Sequence, residues 1–442
     1  MKIKSLKGTG FKTKVIVSTI LLALLILSFF FSEKLEDVLN MNVSFAKNET
    51  SFENLKNSDY KIHYIDVGQG NSSLIELPDG KTILIDGGNT MYGETVSSFL
   101  KERNVDSVDY LIATHADSDH IGGLVQVLKD FEVKNIFRPF QIAGTGTNAE
   151  TFEAIEQEDL KEVYEHYAEK SSRNKISRVT SNVFHEFVKS IYLETYTNSG
   201  VVENAKVSVF YDGLKIVGEN YILEFFAPLI RDESVDLSQM TSSTFGYATK
   251  GYGVGESNDN SAVFLFKCFS DTYLFTGDAS CKNGETSELK PGKFEEIDFV
   301  WSLTNEEKVR FSNVTVYLAG HHGSSYSSSE ILLELINPKF VIFSVGANNT
   351  YGHPASEVIF RIGKTKNIEP DYLLRTDENG TISFGNVSGD NVYAVSKTTT
   401  NNEFLISWKL FAIILFLALE FVLFSIKPKN KQKLNFIDTD KK

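Results

Sequence analysis

THADSDHIGG, residues 114–123, decides the reading of this chain, because His115, Asp117, Asp119 and His120 place four metal-capable side chains within six residues. The apolar run DSVDYLIA (106–113) precedes it and reads as a buried strand, while IGGLVQVLKDF (121–131) reads as a helix. A strand end feeding a helix start fixes the backbone, lets alternate loop side chains converge, and adds helix N-terminal donors that orient anionic groups. A lone His-x-Asp is commonly a surface loop. Four ligand types in six residues, closed by Gly122 and Gly123, point instead to a metal seat.

Downstream, further apolar runs end in the same kinds of group. SNDNSAVFLFKCFSDTYLFTGDAS (257–280) reads as a hairpin ending at Gly277-Asp278, and VTVYLAGHHGSS (314–325) as a strand ending at His321-His322. KFVIFSVGANNTYGHP (339–354) reads as a strand ending near His353, with Pro354 disfavouring helix at the histidine and able to start one after it. Five of the eight histidines fall at these strand ends. Upstream, KIHYIDV (61–67), NSSLIEL (71–77) and KTILIDGG (81–88), with a turn at Pro78-Asp79-Gly80, read as an antiparallel meander; a helix is expected over Gly93 to Arg103. NYILEFFAPL (220–229) is another strand. Strand ends that deliver polar groups to one edge, with helices between, are how α/β and α+β enzymes assemble sites.

Residues 138–220 break this rhythm. ETFEAIEQEDLKEVYEHYAEK (150–170) and NVFHEFVKSIYLET (182–195) look helical, and the basic KSSRNKISR (170–178) lies between them. A solvated insertion and a substrate-shaping lid both fit that pattern.

At 442 residues and 42% hydrophobic content the chain can build two or three domains with ample core. Its only cysteines, Cys268 and Cys281, exclude a disulfide framework or a cysteine-rich zinc site. The net charge of −14 is unevenly spread: residues 1–14 carry five lysines and no acid, residues 427–442 six lysines and two aspartates, and the remainder 33 basic against 56 acidic residues. An acidic body between basic tails argues against polyanion binding over a broad surface.

Two apolar runs flank the body. Residues 15–31 form an uncharged stretch of 17, near the lower limit of the roughly 17–25 that cross a bilayer, read here as an uncleaved anchor with a secretory signal as the rival. Residues 404–426 are interrupted by Lys409 and Glu420 and closed by KPKNKQK, and read as a second span. The flanking lysines put both tails in the cytoplasm and the body outside. Glu420 within lipid marks a contact with another helix, the first span being one candidate. The expected organisation is a basic tail (1–14), anchor (15–31), stalk (32–58), folded body (59–396) with its insertion at 138–220, linker (397–403), span (404–426) and basic tail (427–442).

The motifs VGQGNS (67–72), LIDGG (84–88), THADSDHIGG, NDNS (258–261), FTGD (275–278), GHHGSS (320–325), YGHP (351–354) and RTDENG (375–380), in this order, resemble the metallo-β-lactamase superfamily. The likeness runs from Lys61 to Phe384 outside the insertion, and is greatest to the extracytoplasmic metallohydrolase domain of ComEC-like late-competence proteins. It implies an α+β fold, a four-layered αββα sandwich with a dinuclear metal site at one edge of its sheets. By the same resemblance His115 and Asp117 hold one ion, Asp119 and His120 the second, and Asp278 bridges them. His321 completes the second ion with His322 beside it. Asp119, His322 and His353 are the expected catalytic groups, His353 giving a hydrogen bond to a phosphoryl oxygen or a proton to the leaving alkoxide. Asp86, Asn258, Asn260, Gln69 and Ser324 are expected to support the site or meet the substrate.

Two divalent ions roughly 3.5–4 Å apart lower the pKa of water and clamp the attacking and leaving oxygens of a phosphoryl centre. Asp117 stands where the superfamily usually has histidine, which shifts the site from zinc towards manganese or magnesium, so manganese and zinc both remain open. The implied activity is that of a membrane-anchored, extracytoplasmic phosphodiesterase acting on DNA or on a surface polymer such as a teichoic acid. ComEC-like proteins carry this domain on a many-helix channel, whereas two spans do not make such a channel. A non-catalytic envelope binding or sensor module on the same fold is the rival.

Overall fold

Residues 61–88 form the expected meander, β1 (Lys61–Tyr64), β2 (Ser73–Glu76) and β3 (Thr82–Ile85), each antiparallel to the next. This is seen in a computed structural model of the chain, which describes residues 55–139, 142–143, 178–179, 181–196, 205–228, 258–281, 295–365, 372–387 and 389–397. Helix α1 (Gly93–Glu102) leads to β4 (Ser107–Ile112), parallel to β3. The metal-capable loop then enters a single turn, α2 (Ser118–Ile121), and α3 (Leu124–Asp130), after which β5 (Glu132–Arg138) lies parallel to β4. β6 (Ile142–Ala143) and β7 (Arg178–Val179) pair with each other, and α4 (Asn182–Tyr196) precedes β8 (Lys206–Val209), parallel to β5.

The second half opens with the antiparallel run β9 (Lys215–Val217), β10 (Tyr221–Ala227), β11 (Val263–Cys268) and β12 (Asp271–Phe275). It continues through α5 (Glu295–Ser302), α6 (Asn305–Phe311), β13 (Val316–Leu318), α7 (Glu330–Ile336), β14 (Phe340–Phe343), α8 (Ser356–Gly363), β15 (Leu373–Arg375) and a turn, α9 (Thr376–Asn379). Strands β12 to β15 run parallel. The hairpin β16 (Ile382–Val387) and β17 (Asp390–Val395) then returns to lie beside β1.

Beside the two-stranded β6–β7 pair, two large sheets result, eight strands in the order β17-β16-β1-β2-β3-β4-β5-β8 and seven in the order β15-β14-β13-β12-β11-β10-β9. Ile62, Tyr64, Ile75 and Ile83 of the first pack against Phe225, Phe264, Phe275 and Ile342 of the second. On the outer face of the first sheet, Leu74, Leu84 and Leu111 meet Val96, Leu100, Leu124, Leu128 and Phe187 of the helices. The second sheet is covered likewise. Phe225 of β10 points inward to Phe264 at 5.3 Å, while its neighbour Phe226 points outward to Phe299 of α5 at 6.3 Å and Phe311 of α6 at 4.8 Å. A strand buried on both faces needs no polar alternation, which is why YILEFFA is apolar except at Glu224, whose carboxylate pairs with Lys215 and Arg310. Burying one such ring stabilises by roughly 1.5–3 kcal/mol, so Phe264→Ala in the inter-sheet layer should cost about 3–5 kcal/mol. The expected αββα sandwich is the one observed.

Some boundaries differ from those expected. The segment 138–220 is not wholly an insertion, because β8 extends the first sheet, β9 edges the second, and α4 lays Phe184, Phe187 and Val188 on the first-sheet helix layer. The body also begins before residue 59. Leu55 is buried, and Ser58 Oγ accepts from Asn386 N at 2.8 Å, which anchors this end against β16. Cys268 and Cys281 are buried free thiols. The two apolar runs at 15–31 and 404–426, Glu420, and the basic stretch 170–177 lie outside the described residues. Among those described, no helix is long and apolar enough to cross a membrane.

Candidate metal centre

The C-terminal ends of β3, β4, β12, β13 and β14 open at one edge of the sandwich, and each carries a polar loop. Hydrogen bonds lace these loops together, one of them from the second sheet to the first and the others within the second. Ala262 N donates to Thr114 O at 2.9 Å, and His321 N to Gly277 O at 3.0 Å. Asp278 N donates to Ser261 Oγ at 3.0 Å. Glycines allow the close approach behind the metal loop: a Cβ on Gly123 would stand 2.0 Å from Gly87 O.

His115, His120 and Asp278 each bring one ligand atom within 4.8 Å of the others, and so do Asp119, His120 and His322. His120 Nε2 lies 3.1 Å from Asp278 Oδ1 and 3.3 Å from His322 Nε2, and His322 Nε2 is 3.3 Å from Asp119 Oδ2. His115 Nε2 is 3.8 Å from Asp278 Oδ2 and 3.9 Å from Asp117 Oδ2. Asp278 stands between the groups, its Oδ2 also 3.7 Å from His322 and 3.6 Å from His321. This pairing departs from expectation in one respect. It is His322, not His321, that stands with Asp119 and His120. Both residues adopt left-handed backbone, φ 49° and 55°, which turns the His322 ring into the interior and leaves the His321 side chain 26% exposed.

The supporting atoms decide which nitrogens face the middle. His322 Nδ1 lies 3.0 Å from the Ser344 carbonyl, which can only accept, so this ring carries its proton at Nδ1 and turns the Nε2 lone pair inward. His120 Nδ1 lies 2.7 Å from Asp86 Oδ2, which fixes the same tautomer. Asp86 Oδ1 also accepts from Thr114 N at 2.8 Å, and Oδ2 from Thr114 Oγ1 at 2.7 Å, so one buried carboxylate shapes the whole loop as expected. His115 Nε2 and Asp278 Oδ1 are buried without a hydrogen-bond partner. Converging lone pairs and carboxylates with unpartnered buried atoms fit divalent cations, which the fold family implies.

The electrostatics are those of a cation trap. Burial disfavours a charge on His120, but the Asp278 and Asp86 carboxylates outweigh it and lift its pKa well above the ordinary imidazole range. His322 is raised for the same reason, by Asp278 and Asp119 against burial. Asp278 is held well below the carboxylate range, its desolvation overcome by His120, His321, His322 and His115. His353 moves oppositely. Burial and then the neighbouring His322 and His321 push it down to about 4, so it is neutral at pH 7.

Other expected residues fall into different roles. Asn258 and Asn260 form one 3-10 turn beside Thr114 and Asp278, with Asn260 fully buried. Gln69 Oε1 accepts from Gly346 N at 3.3 Å and so ties two edge loops together. Ser324 is buried, and its Oγ accepts from Tyr326 N at 3.3 Å within the turn after the histidine pair. His353 reaches the site, with ring centroids 5.8 Å from His321 and 6.3 Å from His322. Thr114, Arg361 and Glu296 also take part, and of these only Thr114 lies within a motif. Thr114 bonds Asp86 and lies within 3.3 Å of both His115 and His120. Arg361 of α8 donates to the carbonyls of Ser325, Ser327 and Ser328, and Glu296 of α5 accepts from Ser328 N and Ser329 N, bracing the serine-rich loop behind His321-His322. The threonine preceding the first histidine was the one clue available locally; Arg361 and Glu296 act from distant helices.

Comparison with known proteins agrees with this geometry. The family profile described as the metallo-beta-lactamase superfamily matches residues 65–173. ComE operon protein 3 of Bacillus subtilis (strain 168) is 24% identical over 346 residues, which is 74% of this chain and 33% of that protein. Recombination protein 2 of Haemophilus influenzae is 22% identical over 321 residues, 71% of this chain and 28% of that protein. The chain thus spans about a third or less of the length of these relatives. Among solved structures, the metallo-beta-lactamase fold protein YhfI from Bacillus subtilis aligns over 72% of this chain and 96% of its own, at 10% identity and a TM-score of 0.34. Family profile, competence-protein relatives and a donor cluster at the common edge of two sheets make the chain similar to the metallo-β-lactamase superfamily, whose members are generally metal-dependent hydrolases, and to the competence proteins that share its motifs.

Proposed function

We propose that the chain is a membrane-anchored, outward-facing phosphodiesterase that uses two divalent ions, manganese or zinc. The observation that carries this reading is the pair of donor groups that share His120, with Asp278 3.7 Å from His322 between them, one side of which opens to solvent through Asp117, whose side chain is 41% exposed. His115, Asp117 and Asp278 would hold one ion, with His321 alongside; Asp119, His120, His322 and Asp278 would hold the other. When bound, two such ions supply Lewis-acid polarisation of a phosphoryl oxygen and acidify water.

The chain's own residues do the positioning. Asp86 and the Ser344 carbonyl fix the His120 and His322 rings, and Asp119, held by His322, faces the open side. His353, neutral at pH 7, suits a hydrogen bond to a phosphoryl oxygen rather than delivery of a proton. The relatives' names, a ComE operon protein and a recombination protein, favour DNA as substrate, and a surface polymer is the other phosphodiester in view. The lysine-flanked apolar runs support an outward-facing body, with membrane lipid and a helix facing Glu420 as partners.

The test is turnover by the purified protein, loaded with manganese or zinc, of bis(p-nitrophenyl) phosphate, single-stranded DNA and a teichoic acid. Hydrolysis of at least one is expected. With metal measured as bound, no turnover of any would leave a binding module. Protease added to intact cells should digest the body and spare tags at both tails; the reverse pattern would overturn the topology.

A further inference from the structure

Three rings form a column at the mouth of the metal centre. Tyr351 stacks on His353 with centroids 5.7 Å apart and planes at 27°, and His353 stacks on His322 at 6.3 Å and 25°. The column runs from a buried ring of the Asp119 donor group to a tyrosine that is 71% exposed. It is braced. Asn349 Oδ1 accepts from His353 N at 2.9 Å, and its Nδ2 donates to His353 O at 2.7 Å and to Gly346 O at 3.1 Å. Among the described residues the Tyr351 hydroxyl makes no hydrogen bond, so the fold makes no evident polar use of it. A rigid aromatic face left open beside a reaction centre is suited to a flat partner.

We propose that the open face of Tyr351 stacks a nucleobase adjoining the scissile phosphate, which makes Tyr351 a specificity-determining residue that favours a nucleic-acid strand over a base-free polyol phosphate. The inference rests on the phosphodiesterase reading. A quaternary ammonium is held best by several rings closing around it, whereas this column offers one flat face. The charge distribution points the same way. With 33 basic against 56 acidic residues between the tails, the body has little general affinity for phosphates, and stacking supplies sequence-tolerant grip without surface lysines.

The experiment compares two strands of equal length, one oligodeoxythymidylate carrying a single 2-aminopurine and one abasic, with the metal-loaded protein and its Tyr351→Phe and Tyr351→Ala variants. The parent should quench 2-aminopurine and show a lower KM for the base-bearing strand. Tyr351→Ala should raise that KM by roughly tenfold to a hundredfold, abolish the quench and leave the abasic strand unchanged, while Tyr351→Phe behaves as the parent. Equal KM for both strands, or equal losses on both in Tyr351→Ala, would overturn the stacking role while leaving the phosphodiesterase intact. Quenching that depends on Tyr351 without hydrolysis of either strand would sustain the platform and overturn the phosphodiesterase. Neither quenching nor hydrolysis would remove both.

Discussion

Asp86→Asn changes little more than one atom and a charge, and should weaken metal binding by about 10- to 100-fold, or ~1.4–2.8 kcal/mol. Asp86 sits at φ 56°, a left-handed conformation that asparagine adopts readily, so the backbone need not move. The chemistry does change. Asp86 accepts from Thr114 N and Thr114 Oγ1 and holds the proton on His120 Nδ1, the last at 2.7 Å. An asparagine that keeps its oxygen on Thr114 N sets an NH2 against His120 Nδ1 and drives the imidazole proton to Nε2, the atom that faces Asp278 and His322. The flipped amide opposes Thr114 N instead. In either case a buried donor loses its acceptor, at a cost of about 1–3 kcal/mol. Loss of the carboxylate also lowers the His120 pKa, which Asp86 helps to raise, and so relieves proton competition at low pH. The affinity loss should therefore be larger at pH 8.5 than at pH 6.5. Competition with a chromophoric chelator at both pH values measures it, and 15N shifts of His120 report the tautomer. Affinity within threefold of the parent at pH 8.5, with His120 Nε2 still unprotonated, would refute the reasoning.

Asp278→Ala should lower turnover by roughly three orders of magnitude, since the carboxylate that lies 3.1 Å from His120, 3.7 Å from His322 and 3.8 Å from His115 is lost; steady-state kinetics showing activity within tenfold would remove Asp278 from that role. His353→Ala should retain both metals by elemental analysis and lose about 10²-fold in kcat, equally on p-nitrophenyl and alkyl leaving groups; a larger loss on the poor leaving group would restore proton donation to His353. His63 is fully buried, its Nε2 2.9 Å from Glu76, and burial lowers its pKa to about 4. Because the unfolded state binds this proton first, stability is fully present above pH ~6.5 and falls by on the order of 3 kcal/mol towards pH 4. His63→Gln should flatten that limb in urea titrations, and an unchanged slope would exclude His63 as its source. Arg361→Met should cost about 2–4 kcal/mol by leaving buried carbonyls of the serine loop unpaired, with weaker metal binding; unchanged denaturation and affinity would show the brace to be dispensable.

What the sequence disclosed was local in origin. The metal loop, the hairpin before Asp278 and the runs before His321 and His353 each carry their signal within about a dozen residues, and all end at one edge. The strands β5, β8 and β9 were harder to read. EVKNIFR mixes charges into a short run, and KVSV and KIV take their identity from neighbours in two different sheets. The order of His321 and His322 was equally opaque. Adjacent histidines look alike in sequence, and only two successive left-handed residues and the Ser344 carbonyl decide which ring turns in.

The donors come from both sheets: His115, Asp119 and His120 follow β4, while Asp278 follows β12 and His322 follows β13. Any slip of one sheet over the other therefore changes distances between ligands before it breaks a strand. The rate at which bound metal exchanges becomes a strain gauge for the aromatic layer between the sheets, where Phe264 and Phe275 lie stacked at 4.9 Å. Phe264→Leu, a change in that layer that removes no donor, should loosen it and quicken metal exchange while circular dichroism stays unchanged, so drift in the interior would be paid in cofactor retention long before it registered as unfolding.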